Sequence, residues 1–235
     1  VNAAPLEVPD LRDVRGQHGA CVALEIAAAG GHHIGFLGSP GVGKTMLAER
    51  LPSILPPLDD EMAVEVTAIH SVAGTLAPSH GLIRVPPFQA PHHTATTAAL
   101  IGGGSHAVRV GMVTLAHGGV LCLDETAEFD RVVLDSLRQP LESGIVTLVR
   151  TGFKLRMPAR FQLVMASNPC PCGRFVGTGA DCSCTSLVRR RYMSRLSGPL
   201  LDRIDLRVTL ERPTLAQLQS HDGESSQVVA DRVLE

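Results

Sequence analysis

Residues 38–45 read GSPGVGKT, a G-x-x-x-x-G-K-[ST] string set between a short apolar run and a helix-forming run. Few sequence features restrict a fold as tightly. The string needs a strand before it, a helix after it and a parallel sheet that holds both. Its glycines let consecutive backbone N–H groups turn toward one set of phosphate oxygens. The helix that follows points the positive end of its dipole at the same place. Gly38, Ser39, Pro40, Gly41, Val42, Gly43, Lys44, Thr45 and Met46 are therefore expected to cradle a nucleoside triphosphate. In that cradle Lys44 is the cation for the β and γ phosphates, and the Thr45 hydroxyl is a ligand to magnesium.

The rest of the chain supplies a sheet of that kind. "HIGFLG" reads as the strand before the loop, and "CVALEIAAAGG" as a short helix closed by Gly30 and Gly31. After a break at Pro52, Pro56 and Pro57, Asp59 is placed to cap a helix with Met62, Val66 and Ile69 on one face. Residues 74–111, rich in Gly, Pro, His and Thr, read as a long insertion. "GVLCLDE" and "FQLVMASN" are near-continuous apolar runs, as strands covered on both faces require. Between them "DRVVLDSLR" reads as a helix ending before Pro140. Strands alternating with helices indicate an α/β domain of the P-loop NTPase kind, with a central parallel sheet flanked by helices.

A phosphate loop also needs a carboxylate on a neighbouring strand to hold magnesium. Asp124 and Glu125 follow four apolar residues, which places them at the carboxyl end of a strand, where open α/β sheets bind ligands. Asp124 is the expected magnesium ligand and Glu125 the base that activates the attacking water. Asn168, at the end of the next apolar run, can hydrogen-bond the γ-phosphate or the water without adding charge.

Composition excludes some partners. The net charge is −2 and there is one Tyr and no Trp, so neither bulk charge nor aromatic stacking argues for nucleic acid. A DNA site must then rest on a local basic patch. No apolar run approaches the roughly 18 residues of a membrane helix. No basic-then-apolar leader opens the chain, and the expectation is a cytoplasmic protein without a membrane partner.

Several motifs together resemble the magnesium-chelatase-like AAA+ ATPases, and most closely their ComM/YifB group. They are "DVRGQ" at 13–17, the run from Ala23 through the phosphate loop to Leu51, "FQAPHHTATTAALIGGG", "GVLCLDETAEF", "LRQPLESG", "NPCPCG" and "RLSGPLLDRIDL". The resemblance covers about Asp13 to Leu210. It implies an ATP-driven, magnesium-dependent motor that assembles as a homo-oligomeric ring, usually a hexamer. It implies that Val14, Gly16 and Gln17 lie near the adenine. Arg203 in "LLDRIDL" resembles an arginine finger acting on the neighbouring subunit's ATP, against the plainer reading of a salt bridge to Asp202 or Asp205. Arg195 is a second candidate for a nucleotide or interface contact. Relatives carry a domain before this core and a helical lid after it. The expectation is a lead-in over 1–12, an AAA+ core with β-hairpin insertions over 13–212, and the start of a truncated C-terminal helical lid over 213–235.

"GIVTLVRTGFKLRMP" reads as a β-hairpin turning at Arg150-Thr151-Gly152, with Lys154 and Arg156 alternating with Phe153, Leu155 and Met157. In related motors a hairpin here projects toward the central pore. Lys154 and Arg156 are therefore candidate contacts to a DNA backbone, against the plainer reading of a solvated strand face. The basic run "RRRYMSR" at 189–195 reads first as a subunit interface or a solvated helix, with a DNA patch as the alternative. His92 and His93 are adjacent, poor spacing for one shared metal, and read as part of the insertion's structure.

Four of the six cysteines, Cys170, Cys172, Cys182 and Cys184, fall in "NPCPCGRFVGTGADCSC" as C-x-C, nine residues, C-x-C. Three chemistries are open: a structural zinc on four thiolates, reduced thiols packed in the loop, and disulfides. In none of them is a cysteine catalytic. Taken together, the function expected is an ATP-hydrolysing motor core acting on DNA as a branch-migration helicase ring. The alternatives are a chelatase-type motor driving metal insertion with a protein partner, and a nucleotide-dependent assembly module with little turnover.

Overall fold

A computed structural model of the chain describes residues 9–76, 81–104, 109–150, 153–175, 179, 181–220 and 222–235, with Arg150 and Phe153 described by their backbone. Most of the lead-in over 1–12 and the hairpin turn at Thr151-Gly152 fall outside these residues. The strands are β1 Ile34–Gly38, β2 Phe88–Gln89, β3 Gly102–Gly103, β4 Arg109–Val110, β5 Val120–Leu123, β6 Ile145–Arg150, β7 Phe153–Pro158, β8 Gln162–Ser167 and β9 Leu206–Leu210. The helices are α1 His18–Gly30, α2 Lys44–Arg50, α3 Asp60–Val72, α4 Thr97–Ile101, α5 Met112–Leu115, α6 Arg131–Ser136, α7 Arg138–Ser143, α8 Ser186–Met193, α9 Gly198–Leu201, α10 Leu215–Gln219 and α11 Ser226–Leu234.

Five strands form one parallel sheet in the order β2-β5-β8-β1-β9. Ile34 of β1 lies opposite Val164 of β8 and Leu206 of β9, so the carboxyl ends of these strands share one edge. β5 and β8 are buried at every residue, which accounts for their unbroken apolar character. Their alternate side chains divide between two cores. Leu121, Leu123, Leu163 and Met165 join Leu134, Leu137 and Leu200 on one face. Val120, Cys122 and Val164 join Phe36, Leu24, Leu47 and Leu51 on the other. The phosphate loop leaves β1, whose Ile34 and Phe36 are buried in the second of these cores.

Two expectations need correction. The insertion over 74–111 is not wholly outside the sheet. Phe88 and Gln89 pair with Val120 and Leu121 as its edge strand, a segment too short to show a period of two. Nor does helix end before Pro140: the chain kinks at Leu137 and α7 continues through Pro140 to Ser143. Proline is tolerated there because it sits in the first turn, where its N–H would have no intrahelical partner. The β6–β7 hairpin forms a separate two-stranded sheet, with Thr147 opposite Arg156 and Val149 opposite Lys154. Toward the end of the chain, α11 packs back on the core. Val229 is buried with α1, Ser226 accepts the Leu11 N–H at 2.7 Å, and Arg232 pairs with Glu25 and Glu224.

Candidate nucleotide site

The carboxyl edge of the sheet gathers Lys44, Thr45, Asp124, Glu125 and Asn168. Gly43, at φ 100°, turns the chain from the loop into α2, a backbone geometry that a side chain would strain. Lys44 opens α2 and is 8% exposed. Its Nζ donates to the carbonyls of Gly38 (2.7 Å) and Ser39 (2.9 Å) and to Oδ1 of Asn168 (3.0 Å). Burial lowers the Lys44 ammonium from its usual value, while the Asp124 and Glu125 carboxylates oppose that. The Thr45 hydroxyl donates to Oδ2 of Asp124 at 2.5 Å, and Oδ1 of Asp124 accepts the Glu125 N–H at 2.8 Å. A hydroxyl and a carboxylate that meet at the mouth of a phosphate loop are the hard oxygen donors that magnesium takes, so the residues fit that ion.

Glu125 has φ 50°, the one non-glycine residue in the left-handed region among the described residues. Its carboxylate pairs with Nδ1 of His93 at 3.1 Å. His93 stands just beyond β2 and stacks on His92 with ring centroids 4.1 Å apart. The sequence reading missed this contact. The histidine pair was visible, but nothing local ties "APHH" to the acidic strand; only the pairing of β2 with β5 brings them together.

Val14, Gly16 and Gln17 line a cavity of about 1080 Å³, together with Leu210, Pro213 and Gln217. The volume is of the size that small-molecule sites occupy. The Gln17 amide donates to the carbonyl of Val42 (3.1 Å) in the phosphate loop and to that of Glu211 (2.8 Å) just after β9. One side chain thus links the cavity to the loop.

Arg203 lies elsewhere. It precedes β9, so it sits at the amino edge of the sheet, opposite the phosphate loop. Its guanidinium bonds Oε1 of Glu142 at 2.5 Å, not the adjacent Asp202 or Asp205. The partner is on α7, which sequence proximity could not indicate. Arg195 faces the acidic strand, with Nη1 on the Ala127 carbonyl (3.1 Å) and Glu128 Oε2 (3.3 Å). Lys154 and Arg156 are exposed on β7 while Met157 is buried, the alternation expected of the hairpin.

The four loop cysteines converge. All six cysteines are free thiols, and the sulfurs of Cys170, Cys172, Cys182 and Cys184 all lie within 4.8 Å of one another. Cys172 is brought down to about 6 by the Arg174 backbone N–H and the neighbouring Cys170 thiol, whereas burial raises Cys170.

Comparison with known proteins agrees with this geometry. The model of the family described as magnesium chelatase, subunit ChlI, matches residues 10–218. An uncharacterised protein of Mycobacterium tuberculosis is 52% identical over 232 residues, which are 99% of this chain and 46% of that protein. Competence protein ComM of Haemophilus influenzae is 47% identical over 238 residues, 100% of this chain and 46% of its own length. YifB of Escherichia coli, itself uncharacterised, is 46% identical over 227 residues, 96% of this chain and 44% of its own. The chain therefore spans less than half the length of these relatives. Among solved structures, one of the complex between subunits BchI and BchD of magnesium chelatase superposes with a TM-score of 0.56. The match covers 94% of this chain and 64% of that one at 21% identity, a likeness of fold alone. No helix among the described residues is long and apolar enough to cross a membrane. The family match and the near-half identity along the whole chain lead to one conclusion: this chain belongs to the magnesium chelatase family of AAA+ proteins, in the group that includes ComM and YifB.

Proposed function

We propose that this chain is the ATP-binding and ATP-hydrolysing core of a AAA+ motor that acts on DNA as a hexameric, branch-migrating ring. One observation carries the nucleotide part of the reading: at the mouth of the phosphate loop Lys44 is hydrogen-bonded to Asn168 and Thr45 to Asp124. In this reading Lys44 exchanges its loop carbonyls and Asn168 for β and γ phosphate oxygens. Thr45 and Asp124 hold magnesium, which neutralises phosphate charge when bound. Glu125 accepts a proton from the attacking water and Asn168 orients that water. The adenine occupies the cavity at Val14, Gly16 and Gln17. Arg203, at the opposite edge of the sheet from its own phosphate loop, exchanges its Glu142 partner for the γ-phosphate held by a neighbouring subunit. Lys154 and Arg156 hold the DNA backbone. A structural zinc on Cys170, Cys172, Cys182 and Cys184 is a further, separate element of the reading.

The test is ATP turnover by the full-length protein with and without branched or single-stranded DNA. Stimulation by DNA is expected. Lys44→Ala is expected to weaken ATP binding by about 10²-fold, the scale of a lost charge-assisted hydrogen bond; unchanged affinity removes the phosphate-loop assignment. The match to the magnesium chelatase subunit ChlI family favours a second reading, a motor that drives metal insertion through a protein partner. Stimulation by such a partner with a porphyrin, and none by DNA, selects it.

A further inference from the structure

We propose that Cys170, Cys172, Cys182 and Cys184 coordinate one zinc ion, and that this ion locks Asn168 and α8 against the phosphate loop. Three of the sulfur separations are 3.4 Å (Cys170–Cys172), 3.7 Å (Cys170–Cys182) and 3.7 Å (Cys172–Cys182). Four thiolates about 2.3 Å from one zinc stand about 3.8 Å apart at the corners of a tetrahedron. A disulfide would bring two of the sulfurs to about 2.05 Å, and that is not seen. Thiols are weak donors and acceptors, so their mutual bonds give four of them little reason to meet. A single shared ion explains the convergence. A four-thiolate tetrahedral set selects zinc or iron, and a cluster of several irons would hold the sulfurs farther apart.

The position of the knot gives it its role. Cys170 follows Asn168 by two residues, and the Gly173 N–H returns to the Cys170 carbonyl at 2.9 Å. A β-carbon added at Gly173 would fall 2.4 Å from Pro40 Cδ, so this turn lies directly on the phosphate loop. At its other end Cys184 precedes Thr185, whose side chain caps α8 by accepting the Val188 N–H. Arg189 of α8 donates to the Cys184 carbonyl at 2.6 Å, with its guanidinium 4.0 Å from the Phe175 ring centroid. Just past the far end of α8, Arg195 grips the turn that follows Glu125. The described residues between Asn168 and Thr185 form neither helix nor strand, so no backbone ladder holds those residues. The ion is the fastener between the end of β8, the phosphate loop and α8. The locking half of the proposal rests on the nucleotide reading above; the metal half stands without it.

The experiment uses the full-length protein, purified without chelator. About one zinc per chain is expected by elemental analysis. Cobalt(II) exchanged into the site should show the charge-transfer and ligand-field bands of a tetrahedral tetrathiolate. Cys182→Ser and Cys184→Ser should lose both signals. A misfolded variant would lose them too, so the cobalt spectrum of the unaltered protein is the independent readout. Metal-free protein without cobalt bands overturns the site, and stoichiometric iron overturns its assignment to zinc. For the locking half, chelator extraction should weaken binding of a fluorescent ATP analogue by about 10-fold, with recovery when zinc is restored. Unchanged affinity in folded, zinc-free protein overturns the locking. Failure to bind ATP even when zinc-loaded overturns the nucleotide reading and the locking with it, and leaves the metal site standing.

Discussion

The carboxyl edge of the sheet and the β6–β7 hairpin carry charge in opposite ways. At the sheet edge the charged groups are already held: Lys44 by Asn168, Asp124 by Thr45, Glu125 by His93. They sit on strands and helices that both cores anchor, so little ordering remains to be done when phosphate arrives. On the hairpin, Lys154 and Arg156 project from a two-stranded sheet and are exposed. Exposed charge of this kind is screened by salt, which suits a long polyanion held at many weak points. A preorganised site shows its function in its geometry. A solvated one shows it only through pattern and charge.

The largest expected effect tests whether the preorganised edge is complete. Arg203 lies at the opposite edge, bonded to Glu142, and in the proposed mechanism it serves a neighbouring subunit's site. Arg203→Ala in the full-length protein should lower kcat by about 10³–10⁵-fold. Mixing it with Glu125→Gln should restore part of the steady-state turnover, because each variant keeps what the other lacks. Wild-type turnover by Arg203→Ala alone would show that the edge needs no neighbour.

Glu125→Gln should come next, with kcat down about 10²–10⁴-fold and ATP still bound, since the Thr45–Asp124 pair is untouched. Single-turnover kinetics that match the parent protein would remove Glu125 as the base. His93→Ala should act through Glu125 and cost about 10–10²-fold in kcat with little change in KM. His93→Asn, which keeps a donor, should recover part of it. Equal loss in both variants, or a loss confined to KM, would reduce His93 to a structural residue.

The smallest effect belongs to the hairpin. Lys154→Ala or Arg156→Ala should each lower the salt slope of duplex DNA affinity by about 0.9, the share of one phosphate contact. A titration across salt concentrations with the parent slope would remove the hairpin from the DNA interface and sharpen the contrast with the sheet edge.

Much of this fold was legible because it is written locally. The strand before Gly38, the helix after Gly43, the Asp59 cap on α3, and the apolar runs of β5 and β8 each follow from residues a few positions apart. The edge strand Phe88–Gln89 was not legible, because two residues carry no period. The break at Leu137 was misplaced at Pro140, because proline alone does not say whether it ends a helix or sits in its first turn.

The candidate site divides along the same line. By itself the sequence determined which residues to single out as candidates: the phosphate loop, the acidic pair, the asparagine after β8 and the four cysteines. Those identities follow from side-chain type beside a local backbone pattern. Only the tertiary structure decided who meets whom. It set the strand order β2-β5-β8-β1-β9, which brings Asp124 to Thr45 and His93 to Glu125. It turned Arg203 toward Glu142 and drew the sulfurs of two C-x-C pairs within 4.8 Å. Hydrophobic period states which face of an element is buried, but not against which distant element. That choice is made by packing the two cores together, and every contact that completes this site depends on it.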